Sequence, residues 1–464
     1  MLRRELKPTL RLAGPVILAE LGWMGMGIVD TIMVGPLGPA AIAASGVANS
    51  LHLGFVIFGM GLLLGLDTLV SQAYGAGDLR LCRSWLRRGI QLALISAIPL
   101  LLVLAAVWAA VPALGFHHDT LVLLRGYFAI LVLSTPFLLL YAALRRYLQS
   151  THHVAPVMFA LVSANAINAF FNWVFIYGRL GIPALGVPGS ALATLAARIY
   201  MSAILGIAVW WTSDDAGSGA SAPLAQDVGR ELREGHGSVM ALSSADRSDP
   251  SIRRLVELGL PAAATVTAEV GVFAVATALA GKLEPVATAS HQIALNIAAV
   301  AFMIPLGLAS AGAVRVGNAI GARNPRGAAA AGWTVIAMGV VFMLCSGAAF
   351  IAIPRTLIGL FTRDAAVLEL GASLLFIAAV FQLFDGLQGV VTGTLRGLGD
   401  TRTPMVTNLA AHWLVGLPVG YWLCFSAGWG ARGLWWGLSL GLIVAGVVLT
   451  TVWGRFAGRA LRAR

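Results

Sequence analysis

Long apolar segments alternate along this chain with short groups of glycine, proline and charged residues. Segments of more than about 18 apolar residues are typical of helices that cross a membrane, because a helix of that length spans the hydrocarbon layer. The pattern predicts twelve spanning helices, at residues 10–34, 42–70, 86–112, 119–142, 154–177, 189–211, 254–280, 288–314, 328–353, 366–394, 404–425 and 432–454.

The composition excludes a water-soluble globule. Hydrophobic residues make up 58% of the 464 residues and charged residues only 11%, whereas soluble domains average about 25% charged residues. The first apolar segment is interrupted by Glu20 and Asp30 and is too long for a cleaved signal peptide, so we expect it to be a retained spanning helix. The sequence therefore predicts an all-α integral membrane protein with lipid as its solvent.

The second half of the chain repeats the first at an offset of 246 residues. At this offset Pro15 aligns with Pro261, and QAYGAGDLR at 72–80 aligns with NAIGARNPR at 318–326. Because each half contains six helices, both halves enter the membrane from the same side and the repeat is parallel. We therefore expect two homologous six-helix lobes, related by a pseudo-twofold axis along the membrane normal.

One hydrophilic segment separates the two halves. It is rich in glycine, serine, alanine and aspartate and poor in aromatic residues, which is typical of a flexible linker. The sequence thus predicts an N-lobe at 1–212, a cytoplasmic interlobe linker at 213–250 and a C-lobe at 251–464.

The net charge of +11 could indicate a nucleic-acid partner, but the positions of the 31 lysines and arginines indicate topology instead. They lie between the apolar segments, alternately dense and sparse. With the N-terminus inside, 24 fall in or next to cytoplasmic segments and six in or next to external ones, and Arg198 alone lies deep within a span. This bias predicts a multi-pass protein of the inner (plasma) membrane, with both termini cytoplasmic and no nucleic-acid partner.

Ionisable residues within the spans are candidates for function, because a carboxylate at the centre of a spanning helix costs about 2.5–3.5 kcal/mol. Asp30 lies near small residues in the first helix, and Asn168 and Asn172 stack one turn apart on the fifth. A carboxylate with carboxamide oxygens suits a small cation such as Na⁺, or a carboxylate that binds a proton. The alternative is that these side chains only join helices by hydrogen bonds.

The C-lobe contains buried acids of its own, Glu269 and Asp385, which we also expect to couple to a cation. At the 246-residue offset Glu269 aligns with Trp23, seven residues before Asp30, so the acids of the two lobes differ in depth by about two helical turns. The lobes are therefore predicted to be homologous but not chemically equivalent. A purely structural role of both acids is the alternative.

Seven further residues are candidates for a substrate cavity: Glu20, Trp23, Asn165, His291, Gln292, Phe381 and Arg198. Arg198 needs a counter-charge or carbonyl partner near the midplane, and it could bind an anionic ligand or brace a lobe. Asp67 lies near a cytoplasmic helix end, where neighbouring arginines could pair with it. The histidine pairs lack a third ligand and the three cysteines lie far apart, so we expect no cofactor and no metal site beyond the possible Na⁺ site.

Short motifs in a fixed order carry a family resemblance. They are GIVDTIMVG, VSQAYGAGD, LRRYLQ, NWVFIYG followed by GIPALGVPGSALAT, the mid-helix Glu269, and LRGLGDTRTPM. With these motifs the chain resembles the MATE (multidrug and toxic compound extrusion) family, particularly its bacterial multidrug branch, over essentially its whole length. The resemblance implies a V-shaped antiporter of two lobes that exchanges external Na⁺ or H⁺ for drugs, which are often cationic and aromatic.

The resemblance also implies roles for individual residues. Asp30 with Asn168 and Asn172 matches the family's N-lobe cation site, and the two C-lobe acids match those of the family. Phe381 stands where relatives that use Na⁺ often have a tyrosine, so this chain lacks one hydroxyl oxygen in its C-lobe site.

We expect a secondary active exporter that exchanges Na⁺ or H⁺ for small organic compounds by alternating access, is a monomer and is not an enzyme. No GxxxxGK[ST] phosphate-binding loop is present in the sequence, so a gradient must drive transport. The first alternative, a lipid-linked oligosaccharide flippase, would need a basic cavity, whereas Arg198 is the only basic residue predicted deep in a span. The second alternative, a membrane-embedded enzyme, has no metal, nucleophile or phosphate signature to support it.

Overall fold

The computed structural model describes residues 2–115, 117–215 and 250–462, and most of the predicted linker at 213–250 lies outside these ranges. Within them the chain forms helices and no β-strand. The first half contains α1 (Leu2–Val34), α2 (Pro39–Leu62), α3 (Gly65–Gly75), α4 (Leu79–Ala110), α5 (His118–Leu133), α6 (Thr135–Ser150), α7 (Val154–Tyr177) and α8 (Val187–Asp215).

The second half has the same pattern of long helices. It contains α9 (Ile252–Ala280), α10 (Pro285–Gly321), α11 (Pro325–Ala352), α12 (Pro354–Gly359), α13 (Ala365–Leu398), α14 (Arg402–Leu409), α15 (Leu417–Tyr421) and α16 (Gly430–Arg462). Two π-helical segments, Ala410–Gly416 and Trp422–Ser426, continue α14 and α15, so that Arg402–Ser426 is one irregular span.

The number of membrane spans agrees with the sequence pattern. In the described part of the chain, eleven segments are long and apolar enough to cross a bilayer, and α5 with α6 form a twelfth that is bent by 43°. The bend lies at Ser134. It follows from Pro136 in the first turn of α6, which has no N–H to donate to the preceding turn. The prediction of twelve spans is confirmed.

The fourth span extends further toward its C-terminal end than the sequence indicated. We predicted that it ends near residue 142 and that the two arginines after it lie in a cytoplasmic segment, whereas α6 continues to Ser150. Arg145 is only 3% exposed, inside the helix. The helix can continue because each arginine pairs with a carboxylate from another helix, Arg145 with Glu20 and Arg146 with Asp67.

The described residues form two compact units that exchange the beginnings of two helices. The N-unit contains residues 18–215 together with 250–263, and the C-unit contains the residues up to Ile17 together with 264–462. The units differ from the predicted lobes, 1–212 and 251–464, because the start of α9 belongs to the N-unit and the start of α1 to the C-unit. The two changeover points, after Ile17 and after Ala263, are 246 residues apart, which is the offset of the sequence repeat.

Glycines allow these exchanged helix starts to pack closely. Within the N-unit, a Cβ atom on Gly61 would lie 2.5 Å from the Cα of Ala263. Within the C-unit, a Cβ atom on Gly307 would lie 3.0 Å from the Cα of Ile17. The two contacts are equivalent at the 246-residue offset, with the partners exchanged, so the duplication is visible in the packing as well as in the sequence.

The internal repeat also reappears in the hydrogen bonds of the turns. The N–H of Leu81 donates to Asp78 Oδ1 at 2.8 Å and caps α4, and the N–H of Gly327 donates to Asn324 Oδ1 at 2.7 Å and caps α11. Asp78 and Asn324 are 246 residues apart, and both residue types are strong N-caps because a short side-chain oxygen can reach the first free backbone donors. The motifs QAYGAGDLR and NAIGARNPR therefore fold into equivalent turns.

The last two spans pack through small residues. Gly416 and Gly420 of the eleventh span lie against a GxxxGxxxG pattern on α16, formed by Gly433, Gly437 and Gly441. A Cβ atom on Gly437 would lie 2.2 Å from the Cα of Gly420, which is far inside van der Waals contact. In a membrane such close approach is a main source of helix association, because lipid supplies no hydrophobic driving force between helices.

We predict that Gly437→Ala lowers the thermal stability of the protein in detergent. The added methyl group would force two backbones apart, and overpacking of this kind costs roughly 1–3 kcal/mol. Gly454→Ala, on the same helix, is the matched control, because its Cβ would meet no atom within 4 Å. Fluorescence-detected thermal unfolding should show a lower midpoint for Gly437→Ala only. Equal midpoints for the two variants would contradict the packing described here.

Candidate functional site

Asp30 lies buried in α1, and both of its carboxylate oxygens accept hydrogen bonds from uncharged side chains. The Nδ2 of Asn172 on α7 donates to Oδ1 at 2.7 Å, and the hydroxyl of Thr194 on α8 donates to Oδ2 at 3.0 Å. The residue is only 6% exposed. Three helices of the N-unit therefore converge on one carboxylate.

The two predicted asparagines contact each other as well as Asp30. Asn172 Nδ2 also donates to Asn168 Oδ1, at 3.1 Å, as expected for residues one turn apart on α7. Both asparagines are fully buried. Thr194 completes the cluster and was not predicted. A sequence signal did exist, since Thr194 stands one helical turn before Arg198, the arginine that we had singled out.

The donor set fits a small monovalent cation or a proton. Within the described ranges Asn172 Oδ1 is buried without a hydrogen-bond partner, so an acceptor oxygen lies unused beside the Asp30 carboxylate. Carboxylate, carboxamide and hydroxyl oxygens are the hard ligands that Na⁺ accepts. Asn172 Nδ2 now points at Asp30, so its amide would have to turn to present oxygen to the same cation.

The predicted C-lobe acids also lie close together. Glu269 on α9 and Asp385 on α13 are near enough for their charges to interact, and Gln388, three residues after Asp385, lies near Glu269. Gln388 Nε2 also donates to Asn408 Oδ1 at 2.8 Å. Gln388 and Asn408 were missed by sequence analysis, although the i, i+3 spacing of Gln388 from Asp385 was a usable signal.

Arg198 lies on α8, 7% exposed, and its guanidinium donates to the hydroxyl oxygen of Ser134 at the bend between α5 and α6. Its positive charge also acts on Asp30 across the N-unit. The sequence left the partner of Arg198 unidentified. The structure shows that Arg198 contacts the Ser134 hydroxyl, and that its charge acts on the Asp30 carboxylate without contact.

Glu20 is buried in an ion pair with Arg145, and Trp23 on the same helix stacks on Tyr141 with a centroid distance of 6.3 Å. The carboxylate therefore faces an arginine rather than an open cavity, unlike the prediction. Asp67 pairs with a neighbouring arginine as predicted, because Arg146 Nη1 lies 3.4 Å from Asp67 Oδ2.

A family model described as MatE matches this chain twice, at residues 15–174 and 261–422. The two matches begin at Pro15 and Pro261, the residues aligned by the internal repeat. This chain belongs to the MatE family.

The relatives are similar over nearly their whole length. The chain is 37% identical to the "Probable multidrug resistance protein NorM" of Mesorhizobium japonicum, covering 98% of this chain and 94% of that protein. It is 36% identical to the "Multidrug resistance protein NorM" of Burkholderia vietnamiensis, covering 97% and 93%. These relatives are named for drug resistance rather than for an enzymatic reaction, and this protein is not an enzyme.

Solved structures show that the fold is that of MATE transporters. The eukaryotic MATE transporter AtDTX14 superposes with a TM-score of 0.84 at 23% identity, covering 99% of this chain and 98% of that one. An outward-facing multidrug resistance MATE transporter of the MOP superfamily superposes with a TM-score of 0.82 at 20% identity, covering 99% and 97%. The MATE-like fold predicted from the motifs is confirmed, and the protein is a multi-pass membrane protein.

Two predicted cavity residues of this MatE protein are instead part of its packing. His291 is fully buried. Trp435 Nε1 donates to His291 Nδ1 at 3.0 Å, and His291 Nε2 lies 3.0 Å from the Thr277 hydroxyl. Because Nδ1 accepts, Nε2 must carry the hydrogen, and the imidazole is neutral with both nitrogens used. Phe381 is also buried, with its ring 5.8 Å from that of Trp435.

The remaining predicted cavity residues are placed differently again. Asn165 Nδ2 donates to the carbonyl oxygens of Gly22 at 3.0 Å and Leu161 at 2.9 Å, so it joins α7 to α1. Gln292 is exposed on α10. Among the described residues no group of three or more histidine, cysteine, aspartate or glutamate side chains could hold a metal ion.

We predict that Glu20→Gln destabilises the N-unit strongly, because it leaves the Arg145 guanidinium buried without a counter-charge. Breaking one partner of a buried ion pair costs about 3–5 kcal/mol, whereas replacing both partners costs much less. The double variant Glu20→Gln with Arg145→Met should therefore unfold at a higher temperature than Glu20→Gln alone. Glu257→Gln is the control, because Glu257 pairs with arginines at an exposed helix start and its loss should change little. A double variant less stable than the single variant would argue against the pair.

Proposed function

We propose that this protein is a secondary active multidrug exporter. It exchanges external Na⁺ or H⁺ for cytoplasmic organic compounds, mainly cationic or amphiphilic ones, by alternating access. We place it in the inner (plasma) membrane with both termini cytoplasmic, as a monomer whose coupling ion is its only inorganic partner. The names of the relatives, which refer to multidrug resistance, support the substrate class.

The observation that carries the proposal is the state of Asp30. The other two buried carboxylates of the N-unit, Glu20 and Asp67, each form an ion pair, whereas Asp30 has only uncharged hydrogen-bond donors among the described residues. An ionised carboxylate deep in a membrane protein is costly without a contacting cation. Asp30 is therefore the carboxylate that has most to gain from a cation or a proton that arrives from outside.

The same geometry supports an antiport cycle in which the coupling ion changes the contacts of α1. A proton on Asp30 Oδ2 weakens that oxygen as an acceptor, and the Thr194 hydroxyl has a second acceptor to which it can donate instead, the Ser190 carbonyl oxygen at 3.2 Å. A sodium ion would require the Asn172 amide to turn. Either change alters how α1 is held by α7 and α8. Binding of the ion would thus shift the population between conformations that differ in affinity for the exported compound.

The flippase alternative is weakened by the ion pairs. A lipid pyrophosphate would need free positive charge, and the N-unit contains two buried arginines rather than the single one predicted. Arg145, however, is neutralised by Glu20. The C-unit acids Glu269 and Asp385 add negative charge, which favours cationic compounds over phosphates.

We predict that Asp30→Asn and Glu269→Gln each slow the gradient-driven efflux of ethidium from loaded right-side-out membrane vesicles at least about tenfold, which is the loss of roughly 1.4 kcal/mol of coupling. Both replacements keep the side-chain volume and remove only the carboxylate charge. The double variant should have no efflux above the rate of empty vesicles. Glu257→Gln, an acid in an exposed ion pair at the start of α9, should transport as the unmodified protein does.

The same vesicles identify the coupling ion. Efflux is measured with a Na⁺ gradient at equal pH on both sides, and separately with a pH gradient in Na⁺-free buffer. Transport should follow one of the two gradients and should lose that dependence in the double variant. Efflux that persists in the double variant under both gradients would refute the proposed mechanism.

A further inference from the structure

Some of the buried charged side chains of the N-unit form ion pairs and others do not. Three carboxylates of its helices are buried, Glu20, Asp30 and Asp67, and the first and last each pair with an arginine. Arg198 is the remaining deep arginine, and Asp30 is the remaining carboxylate. Neither forms an ion pair with any residue that the structure describes, so one buried carboxyl group and one buried guanidinium of the same unit have no contacting counter-charge.

These two charges are connected through α8. Thr194 donates to Asp30 Oδ2 at 3.0 Å, and Arg198 follows Thr194 by four residues, on the same face of α8 and about 6 Å along its axis. The Arg198 charge acts on Asp30, and it also acts on the neighbouring Tyr127 of α5. Arg198 therefore belongs electrostatically to the Asp30 site although it does not touch the carboxylate.

The Arg198 guanidinium is hydrogen-bonded to Ser134 at the bend between α5 and α6. The Ser134 hydroxyl donates to the Leu131 carbonyl oxygen at 2.6 Å and so presents its oxygen to Arg198. In the adjacent position, Thr135 Oγ1 lies 3.1 Å from His52 Nε2. The bend that follows from Pro136 thus gives the arginine head group a hydrogen-bond partner other than Asp30.

We propose that Arg198 is the built-in counter-charge of the cation site at Asp30, and that it sets how weakly the coupling ion binds. This inference rests on the proposed function. When the site has no cation, Arg198 offsets the Asp30 carboxylate at a distance. When a monovalent cation binds, the guanidinium repels it across a medium of low dielectric constant. The arginine therefore weakens binding of the coupling ion without occupying the ion's site. The ion can then dissociate after the exported compound has been released.

The proposal predicts opposite effects for two variants. Arg198→Met removes the competing charge, so the concentration of coupling ion that gives half-maximal ethidium efflux should fall about tenfold, and the maximal rate should fall because the ion is released slowly. Ser134→Ala keeps the charge but removes the hydroxyl that holds it away, so the guanidinium can approach Asp30 and the half-maximal concentration should rise. Arg198→Lys should stay within about twofold of the unmodified protein.

The measurement uses the full chain in vesicles, with Na⁺ varied at constant pH and, in a second arm, pH varied without Na⁺. For the second arm the charged or titratable groups near the site are Arg198 of α8 and Tyr127 of α5, with His52 of α2 near Arg198. Tyr127→Phe therefore accompanies the proton arm. Arg125→Met is the matched control, because Arg125 stacks on Trp108 at 4.2 Å and has no part in the Asp30 site.

The outcomes separate this inference from the proposed function. If Asp30→Asn abolishes coupling while Arg198→Met leaves the half-maximal ion concentration unchanged, Arg198 only braces the lobe and the inference is wrong. If Asp30→Asn leaves coupling intact, the cation site itself is misassigned. Should Arg198→Met fail to fold, Ser134→Ala decides, since an unchanged or lower half-maximal concentration in that variant overturns the inference.

Discussion

The rest of this structure depends on one constraint, which is that the membrane interior offers no water to a buried charge or to a free backbone group. Helices satisfy the backbone. The side-chain charges must then find partners within the protein, and the N-unit meets this demand by pairing Glu20 with Arg145 and Asp67 with Arg146. The carboxylate left over, Asp30, contacts only uncharged donors among the described residues, so the candidate site is a consequence of incomplete charge pairing.

The two units meet the same constraint by different chemistry. In the N-unit a lone carboxylate is surrounded by carboxamide and hydroxyl donors, with an arginine held at a distance by Ser134. In the C-unit two carboxylates are near enough for their charges to interact, and no arginine is paired with either among the described residues. A proton or a cation between two acids relieves their repulsion. The duplicated fold therefore contains two candidate sites for a cation or a proton, and at the N-unit site the charge of Arg198 acts on the carboxylate.

Close packing supplies the rigidity that these sites need. Glycines bring the last two spans into backbone contact. Gly61 likewise packs against the start of α9, and Gly307 packs against the start of α1. Equivalent caps at Asp78 and Asn324 end the repeated turns in the same way. Because the contacts of Gly61 and Gly307 and the two caps recur at the 246-residue offset, the two halves share this part of their framework.

The sequence by itself determined the spans, the duplication and the core of the N-unit site. Hydrophobic length marks a spanning helix regardless of its neighbours, and the Asn168–Asn172 spacing places two carboxamides on one helix face wherever that helix packs. Only the tertiary structure decided which helix faces meet. It brought Thr194 and Ser134 to the N-unit site and paired Glu20 with Arg145. It also packed His291 against Trp435 and assigned the start of α1 to the C-unit and the start of α9 to the N-unit. Such contacts join residues that are far apart in the chain, and no local pattern specifies them, because they depend on how whole helices pack.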